Sequence, residues 1–139
     1  MGSPNDRKSR QGLACLLLAV TLFWAEAALA AAKEPTIPKQ APLTTWYSNG
    51  AHGVYVLNLF EGVPPLAQHQ LEGVVLSDAN CMPDANGLSH CHNRIGMVDG
   101  RQITVINNHQ MSRYGCLKPG DRLSFVALNG QWLVGRLVQ

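Results

Sequence analysis

From Trp46 onward the apolar residues fall into short β-branched and aromatic runs, separated by turn residues. Val-Tyr-Val-Leu at 54–57 follows Gly53 and gives way to a Gly/Pro segment at 62–65. A second run covers 71–76, and a third, weaker one covers 93–98. Asp99-Gly100 is a tight hairpin signal, because both residues tolerate the positive φ that two-residue turns demand. Residues 102–106 return from it. Lys118-Pro119-Gly120-Asp121 has the pattern of a type II turn, with Pro fixing φ and Gly taking the positive φ after it. A run at 123–128 follows. Asn129-Gly130 then predicts a hairpin closed by 131–138. Leu123, Phe125 and Ala127 alternate with Ser124, and Leu133, Gly135 and Leu137 with Val134 and Arg136, so each strand should bury one face. Residues 78–89 hold Asp, Asn, Pro and Gly with few apolar residues and read as a loop.

No stretch after residue 32 has helical periodicity with caps, although a short helical turn fits 64–70. The expected fold is all-β: a small OB-like barrel of five or six strands, which hides its sheet edges by closing.

The first thirty residues follow a different pattern. Arg7, Lys8 and Arg10 precede an apolar segment at 13–24, and Ala25-Glu26-Ala27 and Ala28-Leu29-Ala30 both match a small-residue cleavage site. They read as a secretory signal helix over 1–30, cleaved after Ala30. An uncleaved anchor is the alternative, and membrane contact would then come only through this segment. Glu26 would cost such a span a few kcal/mol. Cys15 lies ahead of the apolar run and should leave with the signal. The protein is then exported, to a periplasm or the outside. Residues 31–45, with Pro35, Pro38 and Pro42, read as an extended tether. Residues 46–139 form the domain.

Of eleven basic and nine acidic residues in the chain, Arg7, Lys8, Arg10, Asp6 and Glu26 belong to the signal, so the remainder is close to neutral. No basic run suggests nucleic acid, and export argues further against it.

The residues with chemistry are concentrated. His90, Cys91 and His92 are adjacent, Cys81 lies upstream, and His109, Met111 and Cys116 lie downstream. Three cysteines in an oxidising compartment allow one bridge and leave one thiol. Cys81–Cys91 would staple the loop, and Cys91–Cys116 would tie the third run to the turn at Lys118. The two pairings stand level. If 90–92 is extended, His90 and His92 share a face and Cys91 points away. His109 and Met111 share a face by the same rule. Counting outward from a two-residue Asp99-Gly100 turn, Met97 and Val98 oppose Arg101 and Gln102, and the two pairs converge. Imidazoles with a thioether suit copper ahead of zinc. This gives a metal set of His90, His92, His109 and Met111, with Cys91 free to bridge inward.

The segment His109-Gln110-Met111, followed by Leu117-Lys118-Pro119-Gly120-Asp121-Arg122-Leu123-Ser124-Phe125, resembles the end of the small periplasmic copper chaperones of cation-efflux systems. Those are OB-like barrels in which a His, two Met and a Trp hold Cu(I). The resemblance implies the barrel, a copper cargo and a metal-transfer or envelope protein as partner. This chain has one Met near the turn where the family has two, and three cysteines the family lacks.

Other chemistry is poorly supported. Strand neighbours diverge, so His90 and His92 are badly placed to activate Cys91 as a nucleophile. No G-x-S-x-G elbow occurs. Asp84-Ala85-Asn86-Gly87 lacks the remaining ligands of a calcium loop. An enzyme is not expected. The competing expectation is a disulfide-stapled OB-like interaction module with no metal role.

Overall fold

The computed structural model describes residues 33–65 and 69–139, so the expected signal lies outside the described residues, as does part of the helical turn expected over 64–70. Two 3-10 turns, Trp46–Ser48 and Ala51–Gly53, lead into six strands. These are β1 (Val54–Glu61), β2 (Leu71–Ala79), β3 (Ser89–Met97), β4 (Gln102–His109), β5 (Arg122–Asn129) and β6 (Trp132–Leu137). They close into an antiparallel barrel in the order β1-β4-β3-β2-β5-β6. The meander β2–β3–β4 and the hairpin β5–β6 make most of the wall, and β1 completes it between β4 and β6.

Alternation decides what is inside. Leu57, Val75, Ile95, Ile103, Val105, Leu123, Phe125 and Leu133 fill the barrel. Each is nearly or wholly removed from water, and full burial of such a side chain is worth about 1.5–3 kcal/mol. The expected core faces of β5 and β6 are realised at Leu123, Phe125 and Leu133, whereas Leu137, expected on the same face, is exposed at the end of β6. Gly120 takes φ 95°, as the Pro-Gly turn requires. The loop between β2 and β3 is shorter than the composition of 78–89 implies, because pairing recruits Asp78 and Ala79 at one end and Ser89 at the other.

The tether is not free. Ile37, Ala41 and Leu43 pack on a second apolar cluster of Trp46, Val56, Leu88 and Val134 outside the barrel wall. The Trp46 indole Nε1–H donates to the Pro35 carbonyl at 2.6 Å. Trp46 also stacks on Trp132 with ring centroids 5.6 Å apart. The segment is not extended throughout, because the Ala41 N–H donates to the Pro38 carbonyl at 2.9 Å and closes a turn, and Ile37 and Leu43 give it an apolar side. Val134, which alternation turns outward, is covered by this strap and is only 6% exposed.

Candidate functional site

The β3–β4 connection determines which residues meet. Gly96 pairs with Gln102 and Ile95 with Ile103. The Gly100 N–H donates to the Met97 carbonyl at 3.0 Å, and the Met97 N–H to Arg101 at 2.8 Å. Gly100 has φ 87°. This is a three-residue loop in which Gly occupies the left-handed bulge position, one residue longer than the two-residue turn that Asp99-Gly100 suggests. The register therefore shifts by one, and a one-residue shift exchanges the faces of a strand.

The four expected metal ligands are consequently not brought together. His90 and His92 point to the outer surface of β3, between the buried residues Ser89, Cys91 and Asn93. His90 Nδ1 lies 2.6 Å from Asn108 Oδ1, and Nε2 lies 3.2 Å from Asp84 Oδ2, so both ring nitrogens are engaged. His92 sets its ring edge-on to Phe60, 4.9 Å between centroids. His109 pairs with Ser89 and turns inward, fully buried. Met111 lies past the end of β4 and is 46% exposed.

A different set converges at the inner end of β3 and β4. Cys81 and Cys91 form a disulfide, and Cys116 is a free thiol. Of the two level pairings, the structure has the one that staples the loop. One ligand atom from each of Asp78, Cys81, Cys91 and Cys116 lies within 4.8 Å of the others. Each member is positioned by the fold. Cys91 points inward on β3 and is fully buried. Cys81 follows Asn80, whose φ of 57° turns the chain back after β2. Cys116 is held from both sides: the Tyr55 hydroxyl donates to the Gly115 carbonyl at 3.1 Å, and Asn93 Nδ2 donates to the Leu117 carbonyl at 3.3 Å.

Asp78 is aimed by an irregularity. Gly73 and Val75 face the core of the barrel, so strict alternation would send Asp78 outward. The β2–β3 register shifts between Val75 and Ser77, and Asp78 pairs with the inward Asn93 instead. Bulges re-aim side chains in this way. Asn93 Nδ2 donates to Asp78 Oδ1 at 2.9 Å. Cys81 Sγ lies 3.1 Å from the same oxygen. That is a plain contact while the disulfide stands, because its sulfur carries no proton; in the reduced state it becomes a thiol hydrogen bond.

The electrostatics fit an enclosed polar end. Burial raises the Asp78 carboxyl above its ordinary range, partly offset by the Asn93 hydrogen bond, by His109 and by the Cys116 thiol. Burial also raises the Cys116 thiol, and Asp78 adds to it. Burial lowers His109, so its ring is neutral near pH 7, against weaker opposition from the Asn107 carbonyl and Asp78. His109 Nδ1 lies 3.3 Å from the Asn107 carbonyl, which only accepts, so the proton sits on Nδ1. Its Nε2 lone pair then has no partner among the described residues, nor do Asn93 Oδ1 and Asn107 Nδ2. All three belong to the inward positions of β3 and β4 beside Cys91, which pairs with Asn107.

The arrangement offers three sulfurs and a carboxylate around one point, with the His109 imidazole buried at the same end of the barrel. Four ligands about 2.3 Å from one ion stand roughly 3.8 Å apart in a tetrahedron, so metal binding here requires reduction of the Cys81–Cys91 bond and separation of its two sulfurs. Asp78 was missed in the sequence, since its inward aim depends on the bulge. Its spacing three residues before Cys81 is the one local hint. No family model, curated protein or solved structure matches the chain, so the reading of this site rests on its own geometry.

Proposed function

We propose that this barrel is an exported metal-binding domain that carries or buffers copper, through Cys81, Cys91 and Cys116 in their reduced state with Asp78 alongside. The observation that carries the proposal is the convergence of those four side chains within 4.8 Å at the polar end of the barrel. Three thiolates form a soft donor set, which selects Cu(I) or zinc over hard cations. A fourth donor from oxygen or nitrogen would favour tetrahedral zinc, whereas three sulfurs alone suit Cu(I). The unpartnered His109 Nε2 adds a buried lone pair at the same end of the barrel. Export and the resemblance to periplasmic copper chaperones favour copper and a metal-transfer or envelope protein as the partner.

The second reading is a disulfide-stapled interaction module without metal. The Cys81–Cys91 bond favours it, since two of the four donors are then occupied with each other.

Titration of the reduced protein with Cu(I) and with Zn(II), each against a competing chelator, separates the two. Stoichiometric binding should survive His90→Ala/His92→Ala and weaken by a hundredfold or more in Cys116→Ser and in Cys91→Ser, in keeping with the loss of a thiolate ligand (about 2.7 kcal/mol for a hundredfold change). Equal, weak binding by all four proteins would leave the interaction module as the better account.

A further inference from the structure

The third sulfur gives the disulfide an alternative partner. We infer that Cys116 exchanges with the Cys81–Cys91 bond, so that the oxidised protein alternates between a Cys81–Cys91 and a Cys91–Cys116 bridge. This goes beyond metal binding and needs no metal.

The step is balanced without an outside oxidant or reductant. The Cys116 thiolate attacks Cys91 Sγ and forms a new S–S bond. The Cys91–Cys81 bond breaks, and its electron pair leaves on Cys81 Sγ. The Cys116 proton passes to the Asp78 carboxylate and from there to the departing Cys81 thiolate. Thiol–disulfide exchange requires this kind of access of a third sulfur to the bond. All three sulfurs and an Asp78 oxygen lie within 4.8 Å of one another. Asp78 Oδ1 lies 3.1 Å from the leaving sulfur, where a proton carrier is needed.

Cys91 is the shared partner for a structural reason. It is fully buried and fixed on β3, whereas Cys81 and Cys116 both lie in connecting segments and are half-buried. The loop does not depend on the disulfide to stay closed. Pro83 bridges to Ser89, and the Asp84 N–H donates to the Leu88 carbonyl at 2.9 Å. The exchange thus moves the free thiol from the Cys116 segment to Cys81, beside Met82, which is 78% exposed. It delivers a thiol to an accessible loop without unfolding the barrel.

The test uses the full chain carrying Cys15→Ser, so that Cys81, Cys91 and Cys116 are its remaining cysteines; it is oxidised, with metals removed by a chelator. Samples incubated with a thiol-alkylating reagent are quenched in acid and mapped without reduction. The label should appear on both Cys81 and Cys116, and both bridges should be recovered. In Cys116→Ser the Cys81–Cys91 bridge should be the sole one and no label should appear. In Cys81→Ser a Cys91–Cys116 bridge should form, which tests reach independently of the balance between isomers. Asp78→Asn should keep both bridges but slow their interconversion by about tenfold or more, as loss of a proton carrier does. Label confined to Cys116 in the wild type, or no bridge in folded Cys81→Ser, would overturn the proposal. Because metal is absent throughout, neither result bears on the copper titration, and failure of that titration leaves this one intact.

Discussion

Ser89 stands directly opposite His109 across the β3–β4 ladder, and His90 stands opposite Asn108. That one relationship separates the histidines. His109 shares the barrel interior with Cys91 and Asn93, while His90 and His92 share the outer wall with Asn108 and Phe60.

Chemical modification should read this separation directly. With diethyl pyrocarbonate, His92 should react faster than His90, whose two ring nitrogens are held by Asn108 and Asp84. His109 is fully buried and should stay unmodified until the protein is unfolded. Mass mapping of each histidine over time decides it. Early modification of His109 in the folded protein would contradict the inward register.

Asn49 should be a costly residue to lose. It is fully buried; its Oδ1 accepts the Val56 N–H at 2.7 Å, and its Nδ2 faces the Val56 carbonyl at 3.0 Å, the Asn108 carbonyl at 2.8 Å and Asn107 Oδ1 at 3.2 Å. Two N–H groups cannot fully serve three acceptors, so the longest contact, to Asn107, is the weakest. Asn49→Ala leaves a buried N–H and two carbonyls short of a partner. The expected loss is about 2–4 kcal/mol in urea unfolding, from roughly 1–3 kcal/mol per unsatisfied group. A loss below about 1 kcal/mol would show that the network contributes little to stability.

Gly73 and Gly130 should respond oppositely to the same substitution. A Cβ at Gly73 would meet Ile95 Cγ2 at 2.8 Å, the Gly96 carbonyl at 3.0 Å and Met97 Sδ at 3.1 Å. The carbonyl belongs to a paired strand and cannot yield, so Gly73→Ala should cost about 1–3 kcal/mol. A Cβ at Gly130 meets nothing within 4 Å, and this glycine is not among those with positive φ. Gly130→Ala should therefore stay within about 0.5 kcal/mol of wild type. Equal thermal shifts for the two variants would contradict the close approach at Gly73.

The strands were legible because their signals are local. β-branched runs and the Pro119-Gly120 turn act within a few residues, and each appears where expected. The site was less legible because its convergence depends on two single-residue irregularities. One is the extra residue in the Val98-Asp99-Gly100 loop, which turned His109 away from His90. The other is the shift between Val75 and Ser77, which turned Asp78 toward Cys81. A dipeptide such as Asp-Gly fits both two- and three-residue hairpins, so spacing alone does not reveal the face. The strap was hidden for another reason. Ile37 and Leu43 are too few to make a strand pattern, and they are partly buried only because Trp46 and Val134 present a surface for them.

Asp84 supplies a pH dependence whose sign follows from its partners. Its Oδ1 accepts the Asn86 N–H at 2.8 Å and the Leu88 N–H at 3.0 Å, and its Oδ2 faces His90 Nε2 at 3.2 Å. The Leu88 hydrogen bond above all, with Asn86 and His90 adding to it, holds the carboxyl below its ordinary 3.8. The unfolded chain therefore takes up this proton before the folded one does. The stabilisation from Asp84 is complete above pH 3.8 and is lost as pH falls through the lower folded-state value. Asp99, held low chiefly by Arg101, contributes acid sensitivity of the same sign, so wild type alone does not isolate the effect. Asp84→Asn does. Its side-chain oxygen still accepts both backbone N–H groups, but it does not titrate. The variant should lose less stability than wild type across the acid range, measured by urea midpoints at stepped pH. Hydrogen exchange at the Leu88 amide should quicken on acidification in wild type and change less in the variant. Parallel acid slopes for the two proteins would show that the Asp84 carboxylate does not hold this loop.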